Sequence, residues 1–240
     1  PPQLERESLV RLGAIADLVD AQHYIVHLSS AQTVPEVRAA QARGSRLVAE
    51  TCPQYLVLDH TAYGQAGDAD QASETRARAA VMSPPLRPAA DHDTLWEGLA
   101  DGTISFVGTD HCSFTPEQKA AAADFSAVPN GAPGLELRLA LLHSHGVTTG
   151  RLSLPQLAAV TATNAARYFG LYPRKGVLAP GSDADVVVLD PTAEWTVTHD
   201  ALHDAARHTP YAGMPLTGRV RDVFLRGQHL VRDGSLADDL

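Results

Sequence analysis

Ile104-Ser105-Phe106-Val107-Gly108-Thr109-Asp110-His111-Cys112 is the stretch on which the fold is read. An apolar run ends abruptly in Gly, Thr, Asp and His, the pattern of a buried strand whose carboxyl end opens into a polar site. In parallel α/β folds chemistry gathers where strands end and loops begin, so Asp110 beside an imidazole suggests a metal ligand or a general base. Thr-Asp pairs also cap helices and turns, and these residues alone leave both uses open.

Upstream, Tyr24-Ile25-Val26-His27-Leu28-Ser29-Ser30 has the same form. A lone strand histidine is more often a hydrogen-bonded core residue than a ligand. The repeated placement at a strand's carboxyl end makes His27 a second candidate. Before it, Leu9, Leu12, Ile15, Leu18 and Val19 recur at helical spacing. After it, Thr33-Val34-Pro35-Glu36 reads as a capping box, opening a helix that runs through Val37 and Ala40 to a left-handed stop at Gly44. Residues 46–51 form the next strand, broken by Cys52-Pro53-Gln54-Tyr55. Residues 59–78 are polar and aperiodic, a surface loop with one short helix at most, and 79–87 make a brief extended piece with Ser83 at its mouth. Residues 93–99, with Leu95, Trp96 and Leu99 on one side, form a helix leading into the Asp110 strand. Strands alternating with helices imply parallel strands with crossovers, in a barrel or an open doubly wound sheet.

Beyond Cys112, residues 113–134 are a loop ending in Pro129-Asn130-Gly131-Ala132-Pro133-Gly134, a turn sequence dense enough to fix a backbone path. Such a loop suits substrate contacts, or a passive lid. Residues 135–143 read as a buried helix, and Ser153-Leu154-Pro155 opens another that Gly170 ends. His143-Ser144-His145 spells a His-x-His, but between a helix and Gly146 it reads as structural. The pattern then changes to strands without helices, at 185–190, 195–198 and 220–231, the last folding back at Arg226-Gly227-Gln228. The expected division is an α/β portion over 1–175 and a β tail over 176–240.

Composition narrows the partners. A formal charge of −9 with no basic cluster argues against nucleic acid and anionic membranes. No apolar run reaches membrane-spanning length. Cys52 and Cys112 belong to no Cys-x-x-Cys pattern, which fits a reducing, cytoplasmic setting. The chain starts in a helix pattern without an initiator Met, as though within a longer protein.

In order, Val26-His27-Leu28-Ser29, Glu50-Thr51-Cys52-Pro53-Gln54-Tyr55-Leu56, Ser83-Pro84-Pro85-Leu86-Arg87, Gly108-Thr109-Asp110-His111-Cys112, Asp124-Phe125 with Pro129-Asn130-Gly131, Tyr172-Pro173-Arg174-Lys175-Gly176 and Gly181-Ser182-Asp183-Ala184-Asp185 resemble the hydantoinase and dihydropyrimidinase family of cyclic amidohydrolases. The resemblance implies the C-terminal part of a TIM-type (β/α)8 barrel followed by strands of a small β-sandwich. It implies two divalent metals, usually zinc, bridged by a carboxylated lysine, and hydrolysis of hydantoins or dihydropyrimidines to N-carbamoyl amino acids. By the same resemblance His27 binds one metal, Asp110 binds the other and acts as general base, and backbone groups at Ser83 and Asn130 hold the small cyclic amide. A homo-oligomer is expected. The related dihydroorotases and allantoinases usually carry His where this chain has Gln54. A non-catalytic assembly protein of the same fold would have no chemical need for both His27 and Asp110.

The family's first-strand His-x-His, its bridging lysine, a further histidine and an oxyanion-stabilising tyrosine all belong upstream of Pro1. A complete barrel takes about 250 residues by itself. The only lysines, Lys119 and Lys175, read as polar-loop residues rather than the buried lysine that carboxylation requires. The isolated segment is therefore expected to be inactive.

Overall fold

Three short parallel strands, β1 (His23–Leu28), β2 (Leu47–Thr51) and β3 (Phe106–Val107), hydrogen-bond side by side in that order. The computed structural model describes residues 1–64 and 70–237. Helix α1 (Pro2–Leu18) precedes β1, and α2 (Val34–Ala42) carries the chain from β1 to β2. Between β2 and β3 lie α3 (Pro53–Val57), α4 (Gln71–Ala79) and α5 (His92–Ala100). The alternation read from the sequence is present. Part of the expected surface loop, 65–69, lies outside the described residues.

Apolar spacing explains the packing. Val34, Val37 and Ala40 make one buried stripe on α2, and Leu95, Trp96 and Leu99 make another on α5. Both are in the core with Leu28, Ala49, Ile104 and Val107. Gly98 permits the close approach of α5, since a Cβ there would sit 3.1 Å from the Ile104 side chain and 3.2 Å from Val34. Gly44 closes α2 with φ +86°, as its position suggested.

Three local expectations are corrected. Thr33 does not cap α2 through its side chain, because its backbone is already helical (φ −86°, ψ −28°), and its hydroxyl donates instead to the Ser30 carbonyl at 2.6 Å. Glu36, the other half of the expected box, pairs with Arg6. On α1 the buried line is Leu9, Gly13 and Ala16, while Leu12, Ile15 and Leu18 are exposed. Residues 81–88 form no ladder and run as irregular chain after α4 ends at Ala79.

A buried ion pair ties α1 to the chain leaving β1. Arg87 Nη2 donates to Glu5 Oε2 at 2.9 Å, with the two side chains only 9% and 15% exposed. Glu5 also accepts the Ser29 amide at 2.9 Å and the Ser29 hydroxyl, and Arg87 Nε donates to that hydroxyl's oxygen at 2.9 Å. Removing one partner strands the other charge. Arg87→Met is expected to lower stability by about 3–5 kcal/mol, and the double change Glu5→Gln with Arg87→Met by less, as measured by denaturant unfolding of the complete gene product. A larger loss in the double variant would show that the pair is not the source of the effect.

The rest of the chain contains α7 (Arg138–Leu142), α8 (Leu154–Ala158), α9 (Asn164–Tyr168) and an antiparallel sheet ordered β4-β5-β6-β7, comprising Val186–Thr196, Pro215–Leu225, Gln228–Arg232 and Ser235–Leu236. The two strands read at 185–190 and 195–198 are one bulged strand. The Asp190 carboxylate accepts the Thr192 and Ala193 amides and so takes up the extra residues. The hairpin at Arg226-Gly227 has φ +50° and +85°, as a tight two-residue turn requires.

By packing, the chain forms two compact units, each drawing on separate stretches of sequence. One compact unit is Pro1–Arg138 with Thr198–Gly213, and the other is Leu139–Val197 with Met214–Leu240. Specific bonds account for this. His143 Nδ1 donates to the Thr217 carbonyl at 2.9 Å and the Thr217 amide to Ser144 Oγ at 3.0 Å, joining the helical stretch to β5. His203 bonds Glu136 and His208 bonds the Phe114 carbonyl, joining the 198–213 segment to the first unit.

Candidate functional site

His27 sits where β1 ends. The β1–β2 register is regular from His23 to Ile25 and shifts before Leu28, so the chain bulges there and His27 takes φ +44°. Asp110 lies just past β3, at φ +49°. A left-handed backbone is uncommon outside glycine, and it gathers where the surrounding structure holds a functional side chain in place. Both candidates named from the sequence therefore stand at the carboxyl ends of near-neighbouring parallel strands, with β2 between them.

What links them is a residue to which the sequence reading gave no role. Glu50 pairs with Phe106 across β2 and β3, on the same face as Tyr24 and Gly108. Its Oε2 accepts the Tyr24 hydroxyl at 2.5 Å, and its carboxylate also accepts the His27 backbone N–H. Burial pushes the Glu50 carboxyl above the usual range. The nearby Asp110 charge adds to that shift, and the bonds from Tyr24 and His27 oppose it. Arg138, which donates to the Val107 carbonyl at 2.9 Å, brings a cation within electrostatic reach. A carboxylate inside the run Leu47-Val48-Ala49-Glu50-Thr51 was the available signal, because strand interiors seldom bury a charge without a use for it.

Gly108 makes room for this carboxylate. A Cβ there would lie 2.5 Å from the Glu50 carboxyl carbon. Gly108→Ala is expected to cost about 1–3 kcal/mol of stability by overpacking, part of which returns when Glu50 is also changed to Ala. Denaturant unfolding of the single and double variants checks this. Equal losses in both would mean that the collision is not with Glu50.

Ser83 and Asn130, read as substrate contacts, are brought together. Ser83 Oγ and Asn130 Oδ1 are 3.1 Å apart, and both residues are exposed. The Asn130 segment runs beside the end of the Asp110 stretch: His111 bridges to Ala132, and the Cys112 amide donates to the Ala132 carbonyl at 3.2 Å. Gly131 (φ +143°) packs so closely there that a Cβ would fall 2.5 Å from the Cys112 carbonyl oxygen. His111 Nδ1 accepts the Gly134 and Leu135 amides, both at 3.2 Å, so His111 anchors the loop's far end. Gln54 donates from Nε2 to the Thr109 carbonyl at 3.3 Å, directly before Asp110.

Lys119 departs from its reading as a polar-loop residue. It is 1% exposed, and burial pushes its pKa down to about 8. His143, by contrast, is the structural residue it was read as, bonded to Thr217. Both cysteines are free thiols. Among the described residues no three His, Cys, Asp or Glu side chains are placed to hold a metal ion, so those present do not by themselves fit a complete metal site. Nor is any helix among them long and apolar enough to cross a membrane.

A parallel sheet joined by helical crossovers, with His27, Glu50 and Asp110 at or just past the carboxyl ends of its strands, places the chain in the class of α/β proteins. Within that class the chain belongs to the Amidohydrolase family, whose sequence profile matches residues 14–230. It is similar to the D-phenylhydantoinase of Escherichia coli O1:K1 / APEC, at 41% identity over 98% of this chain and 50% of that protein. It is also similar to the D-hydantoinase of Ralstonia pickettii, at 40% identity over the same shares. The crystal structure of dihydropyrimidinase from Brevibacillus agri NCHU1002 superposes with a TM-score of 0.93 at 40% identity, covering 99% of this chain and 50% of that one. The chain thus spans about half the length of the relatives it matches.

Proposed function

We propose that these residues form the C-terminal part of a TIM-type barrel, with a small β-sandwich after it, in an enzyme that hydrolyses hydantoins or dihydropyrimidines to N-carbamoyl amino acids. What supports this reading is that His27 and Asp110 stand at the carboxyl ends of near-neighbouring parallel strands, each within electrostatic reach of Glu50, in a chain similar to half of a hydantoinase. In this reading the barrel portion ends near residue 175. His27 and Asp110 each give one ligand to a pair of divalent metals, zinc by resemblance. The other ligands, including a carboxylated lysine, come from residues outside these 240.

The part played by this chain's own side chains follows from their chemistry. Asp110 accepts a proton as water adds to the ring carbonyl, and delivers it to the ring nitrogen as the C–N bond breaks. Backbone groups at Ser83 and Asn130 hold the amide edge of the ring, and the turn residues around them fix its orientation. A cytoplasmic homo-oligomer acting on a small cyclic amide, with no nucleic-acid or membrane partner, completes the reading.

The test is to follow the opening of hydantoin and dihydrouracil by the complete gene product, before and after removal of metal by a chelator. Ring opening that is lost with the metal and restored by zinc or manganese supports the proposal. Activity confined to dihydroorotate or allantoin would move the protein to a sister activity, against which Gln54 speaks. No hydrolysis of any of the four would leave a non-catalytic assembly protein.

A further inference from the structure

We propose that Lys119 is a positioning residue that holds the chain segments bearing Ser83 and Asn130 together as one pre-formed cradle for the amide edge of the substrate; this rests on the functional reading above. Lys119 is the fourth residue of α6 (Pro116–Ala120), a single turn started by a capping box in which the Thr115 hydroxyl accepts the Gln118 amide and the Gln118 side chain accepts the Thr115 amide. From there the side chain passes into the interior. Its Nζ donates to the Val81 carbonyl at 2.9 Å and the Pro129 carbonyl at 3.1 Å. Val81 lies two residues before Ser83, and Pro129 directly precedes Asn130. The Val81 carbonyl also accepts the Gly131 amide at 3.1 Å. One ammonium and one amide therefore gather the two segments at a point next to both exposed side chains.

The backbone of α6 is pinned separately, by Arg78 Nη1, which donates to the Lys119 and Ala122 carbonyls at 3.2 and 3.1 Å. Lys119 thus adds little to holding its own helix. Its bonds go to the cradle. A buried cation hydrogen-bonded to neutral carbonyls is costly, and an apolar side chain of the same length would fill the space without that cost. What the apolar chain could not do is direct two hydrogen bonds to two separate segments. Pre-forming the cradle removes the ordering that substrate would otherwise impose, an effect felt equally in the bound ground state and the transition state.

The experiment compares K119M, K119Q and R78A with the unaltered complete gene product in steady-state opening of hydantoin or dihydrouracil. K119M is expected to raise KM by about tenfold or more with kcat within about threefold, the signature of lost uniform binding. K119Q, whose amide can still reach one carbonyl, should fall between. R78A loosens α6 on its other side, so it should lower the apparent Tm and leave KM within about twofold. A fall in Tm for K119M with KM unchanged, a fall in kcat with KM unchanged, or failure of both Lys119 variants to fold would assign the residue to the fold alone and overturn the proposal. Absence of ring opening by the unaltered protein would instead overturn the functional reading. The ratio of variant to unaltered KM speaks only to Lys119.

Discussion

Asp110→Asn in the complete gene product is expected to lower kcat by about 10²–10⁴-fold, the usual worth of a positioned general base, with KM changed by no more than about threefold. The structure makes this a clean substitution. Asp110 is exposed and holds φ +49°, and asparagine accepts the left-handed conformation as readily as aspartate does. The backbone that presents the side chain should survive the change. The amide can occupy the carboxylate's place beside Glu50 but cannot accept a proton, so the loss falls on the chemical step. Single-turnover and steady-state rates separate binding from chemistry. Unchanged turnover with only a raised KM would remove Asp110 from the role of base.

The second large effect is expected from the 240 residues expressed alone, which should hydrolyse no cyclic amide. His27 and Asp110 are the only two ligands the family resemblance places in this chain, whereas catalytic zinc ions normally hold three protein ligands each. Among the described residues no three His, Cys, Asp or Glu side chains are grouped to hold a metal ion. Stability points the same way. The three-stranded sheet ends in β1 on one side and β3 on the other, and α1 leaves Leu12, Ile15 and Leu18 uncovered. Unpaired strand edges and exposed apolar faces favour self-association. The isolated chain should therefore aggregate, dimerise or unfold in part, and sedimentation would report which. Adding excess zinc or manganese and following hydantoin and dihydrouracil against the complete gene product decides the matter. Metal-dependent activity within tenfold of that product would mean that a working site assembles from this segment alone.

The sequence by itself determined the strands and helices around the site, because the period of apolar residues states which face is buried: Val34, Val37 and Ala40 on α2, and Leu95, Trp96 and Leu99 on α5. Strand ends at His27 and Asp110 were legible for the same reason, a polar group closing an apolar run. Ordered motifs carried the family, since each fixes a local backbone path that neighbouring residues specify. Pairings between residues distant in sequence were a matter for the tertiary structure. Nothing near Glu50 announces that its carboxylate receives the Tyr24 hydroxyl and the His27 amide, or that Gly108 is small to admit it. Lys119 lies in a polar stretch, and only folding carries its amine to carbonyls 38 and 10 residues away. Thr33 has the right neighbours for a cap, yet its backbone is already helical and its hydroxyl turns back to Ser30. Helix and strand periods are written in spacings of two to four residues, whereas burial of a charge and choice of a hydrogen-bond partner depend on which distant segment arrives beside it.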